Sequence, residues 1–169
     1  SASQEDGAGD HPDTQAGWEE FQAFIRSSKT EIISTWGAGH YIDLHSNGHD
    51  EGWIEVGVGL TAETLEGDDD AIRASCTDST VAHLCTTGAD ILELTQGATS
   101  LGGLLATLGH PAVPSPDQPS PGTSDFSASN WSTKEHGSHL GGRIDATLLD
   151  SHRSFLVEGE RAEYTRNLA

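Results

Sequence analysis

The chain has 169 residues, with 27 Asp and Glu against 8 Lys and Arg, for a formal net charge of -19. That length fits one ordinary domain with a sizeable core. The charge argues against nucleic-acid or anionic-membrane surfaces, which need a basic footprint, and no apolar run approaches the roughly 20 residues of a membrane span.

No Met is present, so Ser1 is not expected to be a translation start. Either a leader or pro-segment has been removed, or the chain is part of a longer one. Cys76 and Cys85 are an even pair nine positions apart, and Asn130-Trp131-Ser132 is a glycosylation sequon. Together these point to an exported, oxidising setting, outside the cell or on its surface. There Cys76 and Cys85 are expected to pair and Asn130 to carry glycan.

Residues 1–12 are small, acidic and without periodicity, and read as a flexible or partner-binding arm. Residues 13–169 then form a single domain. A helix is predicted from Thr14 to Trp36, capped by Asp13 or Thr14 and closed by Gly37. Its stripe of Trp18, Phe21, Phe24/Ile25, Ile32 and Trp36 predicts a helix packed on a sheet. Gly39–His45 and Trp53–Leu60 read as strands, joined by the polar loop Ser46–Gly52.

Four acids in Glu66–Asp70 read as a solvated helix entry, since they lack the alternating spacing of an EF-hand loop. An acidic module binding calcium or a basic partner would rest on charge alone. Two or three short helices are expected over residues 69–109, including Ala89–Thr95 and a capped one from Ser100 to Leu108. Five prolines in residues 110–125 predict a rigid surface connector. Arg143–Leu149 reads as a third strand and Glu158–Leu168 as a closing amphipathic helix. Helices alternating with short strands predict a layered α/β domain.

His45 ends the first strand, follows Asp43 by two, and opens a glycine-containing loop with His49 and Asp50. Open α/β sheets place ligands at strand C-termini, and a carboxylate behind a histidine orients its ring for a metal. Glu55 on the neighbouring strand is a candidate second acid.

Several motifs resemble the N-formylglutamate amidohydrolase family. They are Gly17-Trp18-Glu19-Glu20-Phe21, His40-Tyr41-Ile42-Asp43-Leu44-His45-Ser46, Trp53-Ile54-Glu55-Val56-Gly57, Ser100-Leu101-Gly102-Gly103-Leu104-Leu105, Gly109-His110-Pro111 and Gly141-Gly142-Arg143-Ile144-Asp145-Ala146. The resemblance runs from about residue 12 to the end. It implies a mixed sheet flanked by helices, as in zinc carboxypeptidases and aspartoacylases, here N-terminally truncated. It places His45 as third zinc ligand with Asp43 behind it, and Asp150 at the position of the catalytic Glu.

The departures from that pattern shape the expected function. The family's first two zinc ligands lie upstream of the segment matching residue 12. Its substrate-holding Arg corresponds to a stretch in which Lys134 is the one cation, without the bidentate fork. Asp150 is one methylene shorter than Glu, and misplacement by roughly 1 Å can cost about a hundredfold in rate. The expectation is therefore a non-catalytic, exported protein that self-associates into an oligomer or filament and needs no cofactor. The alternative is the C-terminal chain of a processed zinc-dependent hydrolase of N-acylated amino acids, partnered by its cleaved N-terminal chain.

Overall fold

The computed structural model describes residues 11–157 and 161–168. The expected arm as far as residue 10, and the start of the closing helix at Glu158, lie outside the described residues. Helix α1 (Pro12–Trp36) begins two residues earlier than its pattern predicts. Its cap is His11, whose Nδ1 accepts from the Asp13 amide at 3.3 Å, and Pro12 needs no donor at the first position. Gly37 closes it at φ 83°, its amide bonded to the Ile33 carbonyl at 2.9 Å.

The helix does not bury the aromatic stripe that its sequence displays. Gln22 and Ile25 are buried, whereas Phe21, Phe24 and Trp36 are exposed. The reason is a polar anchor. Gln22 Oε1 accepts from His136 Nε2 at 2.6 Å, and Lys29 Nζ donates to the His136 carbonyl at 2.8 Å. These bonds fix the seam on the 22-25-29 row and turn Phe21 and Phe24 away from it. Trp18 does pack inward, on Trp131 with ring centroids 4.9 Å apart.

Among the described residues four strands form one mixed sheet: β1 (Gly39–Asn47), β2 (Ile54–Gly57), β3 (Ala112–Val113) and β4 (Ile144–His152). Their order is β1-β4-β2-β3, with β1 and β4 parallel, β4 and β2 antiparallel, and β2 and β3 parallel. The fold is thus α/β, as expected. β2 is shorter than its alternation suggests. Val58 and Gly59 leave the ladder, their backbone groups going to Thr80 and Ala128 instead, at 2.8 and 2.7 Å.

Six short helices follow the second and third strands: α2 (Ala62–Leu65), α3 (Asp69–Ala74), α4 (Ala82–Thr86), α5 (Ile91–Gln96), α6 (Leu101–Thr107) and α7 (Trp131–His136). Helix α8 (Arg161–Leu168) closes the described chain. The acidic run is a helix entry: Asp68 accepts from the Ala71 amide at 2.9 Å, and Asp69 and Asp70 flank Arg73. Residues 69–109 hold four helices rather than two or three.

The hydrophobic core has two parts. Ile54, Val56, Leu105, Leu149 and Tyr164 join one sheet face to α6 and α8. Val58, Leu60, Ile72, Val81 and Ile91 gather the short helices, with the Cys76–Cys85 disulfide (Cα atoms 6.3 Å apart) packed against them. Closing so short a loop contributes about 2.5–3 kcal/mol in the chain-entropy account.

The proline-rich connector contributes β3 and seats α6. A Cβ at Gly102 would run into the Pro114 carbonyl oxygen, while one at Gly17 on α1 would meet nothing. Gly102→Ala is therefore expected to lose about 1–3 kcal/mol of stability by overpacking. Gly17→Ala should gain roughly 0.5–1 kcal/mol from helix propensity. Urea denaturation of the two variants checks both signs.

Candidate functional site

The sheet register assembles the site. β1 sets His45 opposite Asp150, and β2 sets Glu55 opposite the same Asp150. Opposed residues share a face, so His45, Asp150 and Glu55 form one row across three strands. β4 makes this possible by running past Leu149, three residues beyond its predicted end.

At one end of the row, Asp43 and His45 meet a residue that no local pattern connects to them. Asn130 Nδ2 donates to Asp43 Oδ2 at 2.6 Å and lies 3.0 Å from His45 Nε2. Asp43 Oδ2 is itself 3.4 Å from His45 Nε2. Asn130 is held by capping α7: its Oδ1 accepts from the Thr133 amide at 2.8 Å, and Thr133 Oγ1 accepts from the Asn130 amide at 3.1 Å. The Asn-x-x-Thr spacing was the signal for that box. The amide nitrogen that glycosylation would use is the atom turned toward Asp43.

At the other end, Glu55 is wholly buried. Its Oε1 takes the His49 ring at 2.5 Å and its Oε2 takes the Ser127 amide at 2.6 Å. Asn47 joins the halves, its Oδ1 accepting from the His49 amide and its Nδ2 donating to the Asp150 carbonyl. The hydrogen bond to Glu55, with the negative charges of Glu55, Asp125 and Asp150, holds the His49 pKa above its ordinary value.

Asp150 sits between these halves at 8 % exposure, and its buried Oδ1 has no hydrogen-bond partner among the described residues. An unmet buried acceptor costs about 1–3 kcal/mol. Among the described residues, no group of three His, Cys, Asp or Glu side chains is positioned to hold a metal ion. What the row offers chemically is a buried carboxylate hydrogen-bonded to a histidine, an orphaned carboxylate oxygen beside it, and a half-exposed histidine backed by Asp43.

A second histidine is perturbed the other way. His136, the last residue of α7, is buried against α1, and burial, then the Lys29 and Arg26 charges, push its pKa down to about 4. His136 thus contributes stability above the unfolded value near 6.5, lost as pH falls toward 4. His49 contributes stability below 6.5, lost as pH rises through its raised folded value. Urea midpoints across pH should therefore peak near neutrality. His49→Gln is expected to flatten the alkaline limb and leave the limb between pH 6.5 and 5 unchanged.

Compared with known proteins, the chain matches no family model, no curated protein and no solved structure.

Proposed function

We propose that the chain is a non-catalytic, self-associating structural protein whose copies join through the outer edge of the sheet. The observation that carries this reading is the character of β1. Among the described residues no strand lies beyond it, yet it is nine residues long and displays apolar side chains. Ile42 is 50 % exposed and Leu44 65 % exposed. With Leu104, Leu108 and Leu168 they line a groove of about 470 Å³. Long apolar edges are templates for pairing with another chain, and monomeric proteins shorten, charge or cover them.

The exposed Phe21 and Phe24 on α1 supply a second apolar surface. A chain with two such surfaces can continue an assembly into a filament instead of closing it. The Cys76–Cys85 disulfide supports a setting outside the reducing cytosol. No helix among the described residues is long and apolar enough to cross a membrane.

Light scattering on a sizing column tests the proposal. The expected result is a mass well above 17.8 kDa near physiological salt, falling in low salt as chains of charge -19 repel. A monomer across the whole salt series would overturn it.

A second reading is favoured by the orphaned Asp150 oxygen, which needs a donor that the described residues do not supply. In that reading the chain is one part of a two-chain zinc-dependent amide hydrolase resembling the N-formylglutamate amidohydrolases. The described residues do not by themselves make a zinc site: His45 brings one ring, and its Nε2 faces Asn130 and Asp43. The remaining ligands would have to come from a second polypeptide. Native material containing such a chain and stoichiometric zinc would support this reading, and a zinc-free assembly of this chain alone would sink it.

A further inference from the structure

The edge that supports self-association also carries a register. The Gly39 amide donates to the Arg143 carbonyl at 2.9 Å, which sets the alternation of the strand. Tyr41, Asp43 and His45 turn their backbone groups toward β4, and His40, Ile42, Leu44 and Ser46 turn theirs outward. Two copies related by a twofold axis can pair these outward groups only as an antiparallel ladder centred on a single residue. Three centres use the exposed part of the strand: Ile42, Asp43 and Leu44.

Charge separates them. A ladder centred on Asp43 sets two Asp43 carboxylates directly opposite, and like charges so placed are destabilising. Centring on Ile42 sets His45 against Gly39 of the second copy, and it draws the second copy toward Gly37, where α1 enters the strand. Centring on Leu44 sets Leu44 against itself. It also places Asp43 opposite His45 of the second copy, twice by symmetry and at the closer, non-hydrogen-bonded positions. Ile42 then meets Ser46, and the two apolar grooves lie side by side on one face of a continuous sheet.

We infer that β1 pairs with β1 of a second copy of this chain, antiparallel and centred on Leu44. This rests on the self-association proposed above and names its contact. The surface is isologous, so each residue role appears on both copies.

Single-cysteine variants read the register directly, because Cys76 and Cys85 already pair with each other. Opposed residues in such a ladder have Cα atoms about 5.5 Å apart, within disulfide range. Under mild oxidation Leu44→Cys should convert mostly to a covalent dimer, while Ile42→Cys and Asp43→Cys should not. Leu44 is exposed, so the substitution does not threaten folding. In parallel, Leu44→Lys should weaken association by about tenfold or more, read as the shift in the concentration midpoint of mass.

Crosslinking through residue 42 or 43 instead would overturn the register. Association that survives Leu44→Lys with no crosslink at Leu44 would remove β1 from the contact and leave self-association standing. A wild-type chain that never exceeds monomer mass defeats the proposed function itself. Mass gained only with a different polypeptide would assign the edge to that chain.

Discussion

β1 and β2 come early in the chain but have no sheet until residues Ile144–His152 pass between them. That late strand is buried from Ile144 to Ser151 although half of those side chains are polar or charged. Burying them requires partners, and the partners are what hold the layers together. Asp145 Oδ1 accepts from Ser138 Oγ at 2.6 Å and from the His83 amide at 3.1 Å, which ties β4 to α4 and to the turn after α7. Thr147 meets the His40 ring at 2.9 Å on β1, and Ser151 meets the Tyr164 hydroxyl on α8. The backbone joins in, with the Ala146 amide bonded to the Thr80 carbonyl at 2.9 Å. Asp150 is the exception, and it lies where the candidate site lies.

What could be read beforehand was whatever rests on neighbours in sequence. The long first helix, its stop at Gly37, the strand into His45 and the Ser100 cap of α6 each carry a local signal, and each is present. The seam of α1 was not legible, because Gln22 faces inward only to meet His136, 114 residues away. For the same reason the end of β4 was misplaced: Asp150 and Ser151 look like the polar close of a strand, whereas their partners lie on other elements. β3 was hidden in the proline-rich connector, since two residues give no periodicity to detect. In the site, Asp43, His45 and Glu55 were visible as strand-end residues. Asn130 could be seen as a helix cap or a sequon, but its bond to Asp43 spans 87 positions.

The two edges of the sheet are protected unequally, and that inequality decides what the surface can do. β3 is two residues long and buried at both, so its edge offers no ladder to a newcomer. β1 is long, and its outward residues include Ile42 and Leu44 rather than the lysines or prolines that usually blunt an edge. Asp43 and His45 stand on the opposite face, half satisfied by Asn130. The strand therefore has one polar and one apolar face, and both extend to the side that no other strand covers among the described residues.

A charge of -19 on such a chain is no contradiction, because the two effects act over different distances. Repulsion between whole molecules reaches about 10 Å at 0.1 M salt and about 30 Å at 0.01 M. Strand pairing and apolar contact act only once surfaces touch, within about 5 Å. For the proposed assembly, the long-range term would keep copies from reaching contact in dilute salt. As ionic strength rises, its reach shrinks until the short-range terms decide the outcome. In the proposed assembly, charge and edge together would gate pairing by ionic strength.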